Sequence, residues 1–304
     1  MTRRPALGYA MVLTAATLWA LNGTVSKVIL QSGGVTAERL TQVRSTGAFL
    51  LLFGTLLVWR RSSLRTSRRE LPFLVVFGVC GLALVAWFYF VAIERLEIAV
   101  ALLIQYVAPV LVALYARYVL HEPVRRRIWV ALALSILGLS LLLQLWNGLE
   151  LDTIGLLASL GAAVTFALYI LMADRGLQRR STSSLLTYGF LFAALFWAVV
   201  QPWTSFPWHL LDDSVSLLGR LESIELPVWL LMGWMVVLGT IVPFGLLVAA
   251  LRHVRPTRAG ILAMFEPVAA TAIAYAWLGE ELDPVQLVGA AVVLSGIALA
   301  QTAR

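Results

Sequence analysis

The sequence predicts an all-α polytopic membrane protein, with ten transmembrane helices arranged as two inverted five-helix repeats. Three observations lead to that reading. Apolar residues make up 61% of the 304-residue chain and charged residues only 13%, against roughly a quarter charged in soluble domains. The stretch Ala99 to Pro123 occurs a second time as Thr257 to Glu281: a gapless shift of 158 residues carries Pro109 onto Pro267 and Glu122 onto Glu280. The charges between the helices invert from copy to copy, with Glu94 and Glu97 falling on Arg252 and Arg255, and Arg125 falling on Asp283. Lys and Arg accumulate on the cytoplasmic side of membrane loops, so a copy inserted upside down exchanges its loop charges. Inverted copies need an odd number of spans each.

A membrane helix needs about 20 predominantly apolar residues, and ten segments supply them in order. The first, Ala6–Leu30, follows Thr2-Arg3-Arg4 but is too long for the ~7–15-residue core of a signal peptide, so it is read as a retained span. Ala37–Trp59 and Leu71–Ile93 flank the basic run Arg60 to Arg69. Ile98–Leu120 carries Pro109, and Ile128–Leu145 follows Arg125-Arg126-Arg127. Thr153–Ala173 opens the second half: a shift of 147 carries Leu7-Gly8 onto Ile154-Gly155 and Trp19-Ala20-Leu21 onto Phe166-Ala167-Leu168. Ser184–Pro202 comes next, then Val228–Leu251 with Pro243, Thr257–Leu278 with Pro267, and Pro284–Gln301. The halves are 1–147 and 148–304. One connection is long, Trp203 to Pro227, and reads either as a short interfacial helix or as a loosely ordered outer loop.

With the N-terminus placed inside, the cytoplasmic segments hold seventeen arginines and the outer ones three, Arg39, Arg95 and Arg220. That places both termini in the cytoplasm, with the lipid bilayer as the protein's surroundings. The formal charge of +7 sits in these short clusters, and no nucleic-acid motif accompanies it, so nucleic acid is not an expected partner. The single cysteine, Cys80, allows no intrachain disulfide.

Ionisable groups inside a membrane are functional candidates by default. Glu266 lies roughly 12 Å into its span by helix rise and Arg44 about 10 Å into its own. Lys27 and Arg117 lie nearer span ends, where snorkelling accounts for them. Trp19 and Asn22, with Gly23, Ser26 and Lys27, share one face of the first span. Gln105, Tyr106, Phe166 and Tyr169 add amphipathic groups on the repeat-related spans, and aromatic walls with a few polar groups suit a small-molecule pocket. Pro109 and Pro267 break matched helices, freeing the carbonyls of Gln105 and Ala263, and Pro243 is a third break without a twin. Freed carbonyls at membrane depth need a partner or a wet cavity; a plain structural kink is the other reading of each proline. Ala131, Ser135 and Gly138 in the fifth span, and Gly289, Gly296 and Ala300 in the tenth, form small faces suited to close packing within a monomer or across a weak homodimer.

The chain resembles the drug/metabolite transporter superfamily, specifically its ten-helix EamA-type carriers. The likeness rests on Trp19-Ala20, Arg44, the Pro109…Glu122 and Glu266-Pro267…Gly279-Glu280 patterns, and Gly138 and Gly296, and it covers both halves. The first copy departs from the pattern with His121-Glu122 in place of Gly-Glu. The resemblance implies export or exchange of small metabolites, amino acids or drug-like compounds across a bacterial cytoplasmic membrane, and two inverted repeats are expected to work by alternating access. Substrate would bind near the midplane between the halves. No nucleotide loop or metal motif occurs, so no cofactor, metal or catalytic residue is expected. A membrane-embedded enzyme and a structural membrane protein are the competing classes. His121, His209 and His253 all lie at span ends or in loops, which disfavours the enzyme.

Overall fold

A computed structural model describes residues 4–31, 35–93, 95–96, 98–144, 152–279 and 281–302. Glu94, Glu97 and Glu280, three members of the duplicated charge pattern, lie outside the described residues. The described chain is helical almost throughout. Helix α1 (Pro5–Gln31) is followed by α2 (Ala37–Trp59), then by α3 (Leu71–Gly78) and α4 (Leu84–Ile93), which are joined by a π-turn at Val79–Ala83. Then come α5 (Ile98–Gln105), α6 (Ala108–Tyr118), α7 (Arg126–Leu142), α8 (Thr153–Gly176) and α9 (Thr182–Val200). A second π-turn, Val237–Ile241, joins α10 (Val228–Val236) to α11 (Val242–Ala250). The chain closes with α12 (Pro256–Ala263), α13 (Phe265–Ile273), a π-turn at Ala274–Leu278, and α14 (Pro284–Thr302). Among the described residues nine helical stretches are long and apolar enough to cross a membrane. The 17-residue α7 is the remaining expected span.

Local chemistry sets these boundaries. Thr36, Asp152 and Ser181 cap α2, α8 and α9 by accepting the backbone N–H groups of Arg39, Gly155 and Ser184. Helical hydroxyls turn inward on their own helix, as in Thr41 to Ala37, Ser159 to Gly155 and Thr187 to Ser183, so these polar side chains enter an apolar bundle satisfied. The π-turn after α13 ends on Gly279, whose φ of +75° suits a residue without Cβ. Large apolar side chains stay on the outside, with Val58, Trp59 and Val199 more than two-thirds exposed, as a lipid-facing surface requires.

The fifth and tenth expected spans, α7 and α14, pack on each other through their small faces. A Cβ on Gly138 would sit 2.5 Å from the Val293 nitrogen, one on Gly296 2.5 Å from Ser135 Oγ, and one on Gly289 would overlap Leu142. The small residues are therefore spent inside the chain, which leaves them no role in a homodimer seam.

Loops gather at two ends of the bundle. At the arginine-rich end, Arg180 bonds Glu70 and Ser184, Tyr188 bonds the Leu64 carbonyl, and Arg252 bonds the Arg180 carbonyl. At the other end Arg39, Trp203 to Pro227 and Trp277 come together. The long connection is neither an interfacial helix nor a loose loop: it holds short 3₁₀ turns and an antiparallel hairpin, β1 (Ser214–Ser216) with β2 (Glu225–Pro227). It orders because it buries Phe206 and Leu217 against Val28, Ile29, Leu40 and Met232. Trp277 donates its indole N–H to the Leu217 carbonyl at 2.8 Å, and Arg39 donates to Pro202, Ser205 and Gln42. Arg39, expected in an outer loop, is only 7% exposed.

Candidate functional site

The two matched proline breaks meet in the bundle. Pro109 is the second residue of α6 and Pro267 the third of α13. Proline is tolerated in a first helical turn, where its missing N–H has no helical partner to lose. Each span is therefore divided just ahead of its proline, at Tyr106-Val107 and at Met264. Gly260 lets α12 approach Pro109: a Cβ there would stand 3.2 Å from the proline's own.

From the first break Tyr106 donates its hydroxyl to Glu266 Oε2 at 2.6 Å. Glu266 occupies the first turn of α13, where unpaired amide N–H groups favour a negative charge. Tyr89 of α4 and Arg44 of α2 lie within electrostatic reach of that carboxylate. Among the described residues no ion pair joins Arg44 to Glu266. The guanidinium is held separately, by Thr240 Oγ1 at 3.2 Å and the Gly239 carbonyl at 3.5 Å, with its carbon 5.9 Å from the centre of the Phe244 ring.

The second π-turn makes this possible. Pro243, the expected third break, cannot donate to the carbonyl four residues before it, which is Gly239. Thr240 in turn bonds Met235, five residues back, at 2.9 Å. The break does have a backbone twin: the 158-residue shift carries the π-turn Val79–Ala83 onto Val237–Ile241, although the first copy has Val85 where the second has proline.

Aromatic rings pack beside the two charged groups. Trp19 meets Phe244 and Phe166 edge-on at 5.1 and 6.4 Å between ring centres. Tyr106 meets Phe166 at 6.5 Å, and Tyr169 lies against both Phe166 and Phe244. Asn22 packs on Gly239, where any Cβ would collide with its side-chain oxygen, and that Oδ1 is buried without a hydrogen-bond partner. Gln105 ends α5 with its Oε1 also buried and unpartnered. Seven of the eight expected binding residues thus gather in one cluster, and Gln105 has no polar or ring contact with the rest. Lys27 and Arg117 are exposed. Phe244, Thr240, Gly239 and Tyr89 join the cluster unannounced by the sequence; only Gly239 carried a signal, as the repeat partner of Gly81.

The arrangement brings a carboxylate and a guanidinium, each anchored by neutral groups, among packed aromatic rings from both halves. The model of the EamA-like transporter family matches this chain twice, over residues 6–144 and 153–302. A protein of Archaeoglobus fulgidus known as an uncharacterized transporter is 30% identical over 300 residues, covering 96% of this chain and 94% of its own. The threonine/homoserine exporter RhtA of Escherichia coli K12 is 28% identical over 86% of this chain and 80% of its own. The pseudopaline exporter CntI of Pseudomonas aeruginosa is 28% identical over 69% and 74%. One crystal structure superposes with a TM-score of 0.77 over 98% of this chain and 97% of its own, at 20% identity, a likeness of fold.

Proposed function

Since the chain belongs to the EamA-like transporter family, we propose that it is a secondary carrier exporting small zwitterionic metabolites of amino-acid type across the cytoplasmic membrane. Transport in general is supported by relatives named as transporters and exporters. The amino-acid class draws on the name of the threonine/homoserine exporter and on one observation here. Glu266 and Arg44 form no salt bridge with each other: Tyr106 holds the carboxylate and Thr240 the guanidinium. A ligand ammonium is complementary to Glu266 and a ligand carboxylate to Arg44. Trp19, Tyr106, Phe166 and Tyr169 enclose the ligand's apolar body, and Asn22 offers it an unpartnered acceptor.

The mechanism in this reading is alternating access by two inverted five-helix halves, 1–147 and 148–304, with both termini cytoplasmic. Pro109, Pro243 and Pro267 give the broken helices around the site, a construction that midplane sites of inverted-repeat carriers use. Glu266 couples the cycle, binding a proton or the substrate's cationic group on one side and releasing it on the other. Counterflow of labelled amino acids in proteoliposomes tests the proposal. Uptake driven by unlabelled threonine or a related zwitterion, and lost with Arg44→Gln, is the expected result. A panel of zwitterions that gives no counterflow overturns it.

A further inference from the structure

The arginine-rich end of the bundle contains a cavity of about 320 Å³ between the start of α3 and the turn joining α8 to α9. Arg69, Glu70 and Phe73 line one side, and Arg175, Arg179 and Arg180 line the other. One set comes from the first family match and the other from the second, so the cavity spans both. Only Arg180 has its charge answered, by Glu70 at 2.5 Å. Arg175 donates to the neutral Tyr115 hydroxyl and lies over that ring. Among the described residues the side chains of Arg69 and Arg179 have no partner, and both are exposed. Arg180, only 7% exposed, also keeps a buried Nε without a hydrogen-bond partner.

Three unanswered guanidinium charges around one small cavity repel one another, and an anion between them removes the repulsion. Guanidinium groups present a planar fork that matches phosphate oxygens two at a time. Phe73, in the first turn of α3, adds an apolar wall beside them. We propose that this cavity binds a phosphate group through Arg69, Arg175 and Arg179, and that the bound anion clamps the two halves of the chain together at this end. Basic pockets between transmembrane helices take phosphate headgroups, and 320 Å³ lies at the lower end of the ~300–1,000 Å³ of small-molecule sites. The phosphate belongs either to an anionic phospholipid or to a soluble phosphate compound. The site does not depend on the transport reading, because its test measures binding alone.

The experiment uses delipidated full-length protein in detergent, with bound lipid counted by native mass spectrometry and stability followed by melting temperature. Phosphatidylglycerol is compared with phosphatidylcholine, and glycerol phosphate and inorganic phosphate form the soluble arm. Phosphatidylglycerol should bind roughly tenfold more tightly than phosphatidylcholine, and Arg69→Gln/Arg179→Gln should remove that preference. The charge-matched Arg125→Gln/Arg126→Gln variant should keep it. Equal stabilisation by glycerol phosphate without lipid retains the site and makes its ligand soluble. No preference among these ligands in the wild-type protein overturns the proposal without recourse to any variant. Equal loss in the control pair also overturns it, since the effect would then belong to the general charge of this end.

Discussion

Pro243 leaves the Gly239 carbonyl without its helical donor, and Arg44 lies 3.5 Å from that oxygen. Pro243→Ala restores an N–H at this position, and the carbonyl turns back into its own helix. The guanidinium then keeps only Thr240 as a hydrogen-bond partner. Transport should fall about tenfold, as expected for ~1.4 kcal/mol of lost positioning, while folded yield in detergent stays near that of the wild type. A variant with full transport would separate the proline from Arg44.

Glu266 and Tyr106 join residues 160 positions apart across the two breaks. Tyr106→Phe deletes the donor and should lower stability by about 1.5–3 kcal/mol, the worth of a hydrogen bond to a charged group. Its readout is the melting temperature in detergent. Glu266→Gln keeps size and hydrogen bonding without the charge, so the pH dependence of net transport should vanish while exchange remains measurable. Wild-type pH dependence in a stable Gln variant would remove the coupling role from Glu266.

The seam between α7 and α14 is structural, and its variants should behave differently from those of the site. Gly289→Ala places a methyl into the Leu142 backbone, and Gly138→Ala places one 2.5 Å from the Val293 nitrogen. Each should cost about 1–3 kcal/mol through overpacking. Thermal melting and yield should drop, with substrate affinity unchanged in the fraction that folds.

Glu70 sets an acid limit on the arginine-rich end. The hydrogen bond from Arg180, aided by its charge and by Thr66, holds the Glu70 carboxyl below the usual range. A depressed carboxylate pKa contributes stability that is fully present above the unfolded value of about 4.3 and is lost as pH falls through the folded value. Between roughly pH 5 and pH 3 the wild type should therefore lose more stability than Glu70→Gln, which carries no such group. Parallel melting curves for the two proteins would show that the pair contributes nothing.

Inverted topology is checked with single cysteines in a Cys80→Ala background. Arg125 and Asp283 are both exposed and correspond across the repeat. Arg125→Cys and Asp283→Cys should react with an impermeant maleimide from opposite sides of the membrane. Labelling of both from one side would dismiss the inverted arrangement.

Apolar runs, proline positions and loop arginines can be read residue by residue, so helix extents and the matched breaks at Pro109 and Pro267 were legible in the sequence, whereas the bond from Tyr106 to Glu266 was not. What depended on backbone register was not. A π-turn inserts one residue into a helix without any composition of its own, and it is this shift that carries Gly239 and Thr240 to Arg44. Phe244 follows the same turn and was hidden with it. The cap between Trp203 and Pro227 orders through burial of Phe206 and Leu217 against distant helices, a tertiary effect that local propensity does not encode. Arg39 read as a loop charge because most of its acceptors, the Pro202 and Ser205 carbonyls and the Ser205 hydroxyl, come from a segment more than 160 residues away.

The first π-turn, Val79–Ala83, includes Cys80, the only thiol in the chain. Its side chain is partly accessible, in the turn that corresponds by repeat to the one holding Arg44. The protein therefore carries a spectroscopic handle at the symmetry mate of its guanidinium anchor. A trifluoromethyl tag on Cys80 gives a single fluorine resonance with no mutation, and a spin label there reads local mobility. Either signal follows the first half through a transport cycle while the second half stays unlabelled.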